Sequence, residues 1–265
     1  MTKLPTLSIV TPSYNQAHFI EQTLASVLEQ GYPDLEYVVM DGGSVDGTVE
    51  VLERWQARYP GLAWVSERDG GQAAALNAGF ARTTGDIVGW INSDDFYAPG
   101  ALLEVGRTFA ENPDVRWLYG RCPIVDRDGV EIRRGVTRYK EFWMRRYRYE
   151  RLMIENFVNQ PTVFFRRSLL DEVGPIDESM HNAFDYHLFL RMAERARPHF
   201  LDRVVASFRV YADAKTSSTF HRSFREEADA ARRVASGRHP ILIALHELNY
   251  YKLTTAYRLL RLLGR

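Results

Sequence analysis

Ile87-Val-Gly-Trp-Ile-Asn-Ser-Asp-Asp95 is the stretch whose reading decides the fold. Ile87 to Ile91 is apolar without polar alternation, the pattern of a strand covered on both faces, as in a parallel sheet between helices. The change to Asn92-Ser-Asp-Asp95 marks the strand's carboxyl end, where open α/β sheets bind their ligands. Two adjacent carboxylates there repel each other unless positive charge neutralises them, and a divalent cation with oxygen ligands does so. The same residues would also open a plain turn, so the rest of the chain must choose between a site and a turn.

Outward from this stretch, short apolar runs alternate with helical patterns, as a largely parallel sheet requires. Leu7 to Thr11, Leu35 to Met40 and Ala63 to Ser66 read as strands. Phe19, Ile20, Leu24, Val27 and Leu28 repeat at helical spacing. Val49 to Tyr59, with Asp46 and Thr48 available to cap it, Gln72 to Arg82 and Ala101 to Ala110 read as helices. Trp117 to Tyr119 is strand-like. Polar clusters follow three of the strands, at Thr11 to Asn15, Asp41 to Ser44 and Ser93 to Asp95. After Gly120, Ile124-Val125 and Val130 to Ile132 flank a hairpin turn, and Val163 to Phe165 is a further strand. Ser168 with Asp171, and Ser223 with Glu226, have capping-box spacing for two helices. Asp185 to Glu194 is helical, Ala206 to Val210 is a last strand, and Pro240 opens a terminal helix.

Composition narrows the class. Lysine plus arginine equals aspartate plus glutamate at 34 each, so no overall field recruits nucleic acid, and no nucleic-acid partner is expected. The single cysteine, Cys122, excludes an internal disulfide framework. Met1 to Pro5 lacks a basic-then-apolar leader, and no apolar run reaches the roughly 18 residues of a membrane span. These features predict a cytoplasmic protein, with the inner membrane face as its one candidate attachment.

The clusters together resemble family 2 glycosyltransferases. Ser8-Ile-Val-Thr-Pro-Ser-Tyr-Asn15, Asp41-Gly-Gly-Ser-Val-Asp-Gly-Thr48, Asp69-Gly-Gly-Gln72 with Asn77, and Asn92-Ser-Asp-Asp95 occur in that family's order and spacing. The resemblance spans about residues 6 to 215 and implies the GT-A fold: an α/β domain with a mostly parallel central sheet flanked by helices. It implies an inverting sugar transfer from a nucleoside-diphosphate donor, UDP first, to a hydroxyl of a saccharide or lipid-linked acceptor. Asp41 would read the base edge, Thr11 and Tyr14 would line the base pocket, and Asp69 would sit near base or ribose. Asp94 would hold ribose or donor sugar, and Asp95 would ligate Mn2+ or Mg2+. Ser93 stands where the family often carries a third acid.

Inversion needs one base opposite the leaving group, and a carboxylate suits it. Gln160-Pro161, Val163-Phe-Phe165 and Val173-Gly-Pro-Ile-Asp177 match the family's approach to that base, which puts it at Asp185, with Asp177 as the fallback. At a helix N-terminus Asp185 would be favoured as the anion, although acids cap helices in many proteins. Phe208-Arg-Val-Tyr211 and Lys215-Thr-Ser-Ser218 resemble the family's late phosphate-contacting segment, with Tyr211 where histidine is usual. Arg209 and Lys215 are therefore candidate diphosphate contacts. A non-catalytic nucleotide-sugar-binding module is the competing class. A nucleotidyltransferase is disfavoured, since the loop after Thr11 has no glycine before Gly31.

Two segments lie outside this scheme. Arg133 to Arg151 holds eight basic residues among Tyr139, Phe142, Trp143, Tyr147 and Tyr149. It suits first a solvated helix face with aromatics turned inward, then a phosphate-bearing acceptor whose sugars stack on the rings or an anionic membrane surface, and last single-stranded nucleic acid. From Pro240, Leu242, Leu245, Leu253, Ala256, Leu260 and Leu263 form a stripe, to pack on the domain or to make peripheral membrane contact. The expected organisation is a catalytic domain over 1–220, donor half 1–120 and acceptor half 121–220, followed by a helical tail over 221–265.

Overall fold

The structure, a computed structural model, describes residues 3–211 and 220–262, the last stretch by backbone alone from 252 and at 220 and 221. Strands β1 (Leu7–Ser13), β2 (Leu35–Asp41), β3 (Leu62–Ser66) and β4 (Ile87–Trp90) alternate with helices α1 (Ile20–Leu28), α2 (Thr48–Arg58) and α3 (Gln72–Ala81). Then come β5 (Phe96–Tyr97), α4 (Ala101–Glu111), β6 (Trp117–Arg121) and the hairpin β7 (Ile124–Val125) and β8 (Glu131–Ile132). Helices α5 (Arg134–Arg145) and α6 (Tyr149–Ile154) lead through a 3-10 turn at Gln160–Thr162 into β9 (Phe164–Arg166). The order finishes with α7 (Arg167–Val173), α8 (Phe184–Arg195), β10 (His199–Val204), β11 (Ala206–Arg209), α9 (Phe220–Ala235) and α10 (Pro240–Leu262).

Seven strands form the main sheet in the order β10-β6-β9-β4-β1-β2-β3, and β5-β11-β7-β8 form a smaller one. The main sheet is parallel except for β9, which runs antiparallel between β4 and β6. The mostly parallel sheet flanked by helices expected from the sequence is present. Successive residues send side chains to opposite faces, so each central strand feeds two cores. Val10, Val38, Val88, Trp117 and Phe165 pack with α3, α8 and α9, whereas Ile9, Val39, Ile87, Leu118 and Phe164 pack with α1, α2 and α4. That two-sided burial is why the strand runs lack alternation.

Glycines set the closest approaches. A Cβ on Gly79 would lie 2.4 Å from Val10 Cγ1, and one on Gly89 would lie 2.7 Å from the Phe164 ring. Helix α3 thus seats its backbone directly on β1.

The helix starts correct two expected caps. Helix α7 begins at Arg167 with Arg166 as N-cap, so Ser168 stands inside it. Helix α9 begins at Phe220, upstream of Ser223, so Ser223 and Glu226 do not form its capping box. Glu226 instead accepts the backbone N–H groups of His181 (2.9 Å), Asn182 (2.6 Å) and Ala183 (3.2 Å), and the Asn182 side-chain amide at 2.8 Å. A carboxylate on α9 thereby satisfies the N–H groups entering α8, where the helix dipole also favours an anion.

The terminal helix packs on its own domain through Leu242 and Ile243, and His246 Nδ1 meets the Met153 carbonyl at 2.8 Å. Leu245, expected on the packing stripe, is 41% exposed and turns outward with Ile241 and Leu248. The stripe positions from Leu253 onward lie outside the described side chains. No helix among the described residues is long and apolar enough to cross a membrane.

Gly79→Val should lower stability in urea unfolding by about 1–3 kcal/mol through overpacking. Gly61→Ala, where a Cβ meets nothing within 4 Å, should change it by less than about 0.5 kcal/mol. Glu226→Ala should cost on the order of 1–3 kcal/mol at neutral pH, by stranding N–H donors. Burial alone would raise the Glu226 carboxyl, but the hydrogen bonds from residues 181 to 183 hold it below its ordinary value. Its contribution is therefore complete above the ordinary glutamate range and vanishes as pH falls through the lowered value. Wild type and variant should converge in acid; a gap independent of pH would show that the carboxylate charge is not the cap.

Candidate active site

The acidic turn after β4 is held from three sides. Thr23 on α1 donates its hydroxyl to the carbonyls of Ser93 (3.0 Å) and Asp95 (2.7 Å). Asp95, 1% exposed, accepts the Arg209 backbone N–H at 2.8 Å on one oxygen and the Asn92 side-chain amide at 3.2 Å on the other. Asp94 accepts the Tyr211 hydroxyl at 3.1 Å. These partners are neutral dipoles rather than cations. Burial, and then the charge of Asp94, push the Asp95 carboxyl well above the usual range. Burial also raises Asp94, against the Tyr211 hydroxyl that lowers it. The pair is costly as two anions and would be relieved by added positive charge.

A chain of amides backs this turn. Gln72 at the start of α3 donates to Asn92 (2.8 Å), Asn92 donates to Gln160 (3.1 Å), and Gln160 donates to the Trp90 carbonyl (2.9 Å). Gln160 and Asn92 were quoted above as pattern residues only, and the structure gives them work as supports of Asp95. Asn77 is similar: it brackets Ile176, accepting its N–H at 3.0 Å and donating to its carbonyl at 3.0 Å. That bracket ties α3 to the segment leading toward α8.

At the ends of β1, β2 and β3, Asp41 is nearly fully buried and accepts Ser44 N–H (2.8 Å), Ser44 Oγ (2.5 Å) and Ser66 Oγ (2.6 Å). Asn15 closes the neighbouring loop: its N–H reaches Ser44 Oγ at 2.7 Å and its side-chain oxygen accepts Val45 N–H at 3.0 Å. Asp69 accepts the Gly71 N–H at 2.8 Å, and both Asp69 and the Tyr14 ring lie against Gly42. Tyr14 is 62% exposed, so this corner presents an open aromatic face beside a carboxylate. Thr11 is fully buried, and its hydroxyl pairs with Tyr37 OH at 3.0 Å within the sheet.

Arg209, expected as a diphosphate contact, is only 4% exposed. Its guanidinium donates to the carbonyls of Asp94 (2.9 Å) and Arg127 and to Gln22 Oε1, and it lies over the Phe19 and Phe96 rings, so it braces the acidic turn. Its charge also lowers the Asp94 and Asp95 carboxyls against burial. Lys215 lies outside the described residues.

Asp185 occupies the first turn of α8 and accepts the Tyr186 N–H at 2.7 Å. Burial, followed by the charge of Asp185, pushes the Glu227 carboxyl on α9 up to about 8, against the pull of Lys140. Lys140, on α5, donates to Asn159 Oδ1 at 2.8 Å and is lowered by burial against the attraction of Glu227, Cys122 and Asp185. Cys122 in turn feels Asp95. Asp185 and Glu227 thus act by charge on Lys140, and Lys140 and Asp95 both act on the buried Cys122. Asp177, the fallback, accepts Ser179 N–H (3.0 Å) and Oγ (2.7 Å) and pairs with Arg233 at 2.8 Å, so it closes a turn.

Comparison with known proteins agrees with this geometry. The family profile described as "Glycosyl transferase family 2" matches residues 8–174. An uncharacterized glycosyltransferase of Mycobacterium tuberculosis is 32% identical over 213 residues, 78% of this chain and 76% of that protein. A chondroitin synthase of Pasteurella multocida is 29% identical over 202 residues, 76% of this chain but 20% of the synthase. Against the polysaccharide synthases it matches, the chain spans only about a fifth to a quarter of their length. Among solved structures, a mannosyltransferase from Pyrobaculum calidifontis in complex with GDP-Man and Mn2+ superposes with TM-score 0.67 at 23% identity, covering 98% of this chain and 81% of that one. S. aureus TarS 1-349 in complex with UDP-GlcNAc gives 0.64 at 19%, covering 85% and 66%. With a profile that matches more than half its length, this chain belongs to glycosyl transferase family 2.

Proposed function

We propose that the chain transfers a sugar, with inversion, from a nucleoside-diphosphate donor to a hydroxyl of a saccharide or lipid-linked acceptor, with UDP as the first donor to try. The observation that carries the reading is the Asp94–Asp95 pair at the end of β4, Asp95 buried and Asp94 partly so, whose carboxyl groups accept hydrogen bonds only from neutral donors and have Arg209 as their nearby positive charge. Such a pair fits Mn2+ or Mg2+, which bind through one or two carboxylates and take further oxygens from water and phosphates. Among the described residues no cluster of three or more acids, histidines or cysteines would hold a metal by itself, in keeping with a cation shared with the donor. Asp95 would hold the cation, with Asp94 beside it toward the ribose or donor sugar, and the cation's chemistry when bound is Lewis-acid stabilisation of the departing diphosphate.

The remaining parts are assigned to this chain's own groups. Tyr14 and Asp69 flank Gly42 at an open corner suited to a base and ribose. Asp41 shapes the same corner through its Ser44 and Ser66 bonds rather than by reaching outward. Arg209 and Tyr211 fix the positions of Asp95 and Asp94. Asp185 serves as general base for the acceptor hydroxyl. Across from it on α9, burial and then the charge of Asp185 push the Glu227 carboxyl up to about 8. The place of Asp185 at the N-terminus of α8 favours its anion.

Asp95→Ala should abolish cation-dependent turnover. Asp185→Asn should leave donor affinity within about twofold while kcat falls by roughly 10²–10⁴, the scale of a lost general base. Single-turnover kinetics with the same donor would read both, and undiminished transfer by Asp185→Asn would remove that residue from the mechanism.

A further inference from the structure

The basic and aromatic segment is not absorbed by the donor site. Helix α5 ends at Arg145, and the residues after it form a pocket of about 500 Å3 lined by Phe142, Trp143, Arg146, Tyr147, Arg148 and Arg197. Arg197 follows the C-terminal end of α8, so the length of that helix, roughly 15 Å, separates the pocket from Asp185. Neighbouring arginines are already paired: Arg145 with Asp202, Arg151 with Glu155 and Arg238 with Glu194. Arg146, Arg148 and Arg197 have no such carboxylate among the described residues and are exposed. Arg146 lies 4.1 Å over the Phe142 ring and Arg197 5.9 Å over the Tyr147 ring, contacts that orient a guanidinium and leave its charge uncompensated. The charged side chains of the lining are thus three exposed guanidiniums with no carboxylate among them, a donor set complementary to an anion.

We propose that this open depression binds a phosphate group carried on a moiety the size of a sugar, with the three exposed guanidiniums as donors and Phe142 and Trp143 as the apolar wall. Guanidinium forks match phosphate oxygens in pairs. The phosphate could be presented by a soluble phosphorylated saccharide or by a lipid headgroup, and the chemistry of recognition is shared. Either source would anchor an acceptor remote from the transfer site, so the inference concerns a second site independent of the role given to Asp185.

The test is calorimetric titration of the full chain with glucose 1-phosphate and with glucose, in saturating UDP and Mn2+ to occupy the donor site. Glucose 1-phosphate should bind, glucose should not, and affinity should fall as salt rises. The triple variant Arg146→Gln, Arg148→Gln, Arg197→Gln should lose at least about tenfold in that affinity. All three positions are exposed, so its melting temperature and UDP affinity should match wild type. In parallel, the protein is sedimented with phosphatidylcholine vesicles with and without phosphatidylglycerol. Capture by the anionic vesicles alone, lost in the triple variant, would support the site and name the lipid headgroup as its source. Equal binding of glucose and glucose 1-phosphate would overturn the proposal. So would wild-type and triple-variant proteins that behave alike toward both sugar phosphate and vesicles.

Discussion

Two adjacent carboxylates at the buried end of one strand are the constraint around which this molecule is organised. As two anions, Asp94 and Asp95 oppose their own burial, which the charge of Arg209 offsets only in part. Among the described residues no salt bridge closes on them; the surrounding chain fixes them in place. Thr23 holds the backbone of the turn, the Arg209 N–H and the Asn92 amide hold Asp95, and the Tyr211 hydroxyl holds Asp94. The Arg209 guanidinium itself donates to carbonyls and Gln22. Further positive charge at the turn would relieve the pair.

The same device, a carboxylate accepting backbone N–H groups, builds the other loops. Asp46 accepts the Thr48 N–H ahead of α2, and Asp126 accepts those of Asp128 and Val130 in the hairpin. Glu36, pushed down to about 2 by the donors of Ser8, Thr84 and Gly85 outweighing burial, ties β1, β2 and the entry to β4 together at the opposite pole of the sheet. Glu226 does so at longest range, from α9 to the residues that lead to Asp185. This last contact makes the C-terminal helices part of the catalytic architecture. Ala230, Ala231 and Val234 of α9 enter the same core as β4 and α8, so the expected boundary at residue 220 does not divide the packing.

The first half of the chain was legible because each central strand is buried on both faces and each helix repeats its apolar side; predicted and observed spans there differ by a residue or two. Strand β10 was missed because it is an edge, with Asp202, Arg203 and Val204 exposed and no alternation to read. The antiparallel insertion of β9 could not be inferred either, since Phe164 and Phe165 read alike in both directions. Pattern located the site's loops but not the aim of each side chain. Thr11 falls within the Ser8 to Asn15 motif, and only the fold shows its hydroxyl buried against Tyr37; Arg209 falls in the late basic segment, and only the fold shows its bonds to the acidic turn. Ser223 and Glu226 had local capping spacing, but Glu226 acts across more than forty residues of sequence. Glu227 and Lys140 gave no motif at all, and only the fold brings them beside Asp185.

The most direct test of the central claim is titration calorimetry of UDP, GDP and dTDP sugars, each with and without Mn2+. The account predicts that one nucleotide class binds and that its affinity depends on the cation, because Asp94 and Asp95 accept the diphosphate only once their charge is offset. Binding indifferent to Mn2+, or no binding of any donor, would contradict it.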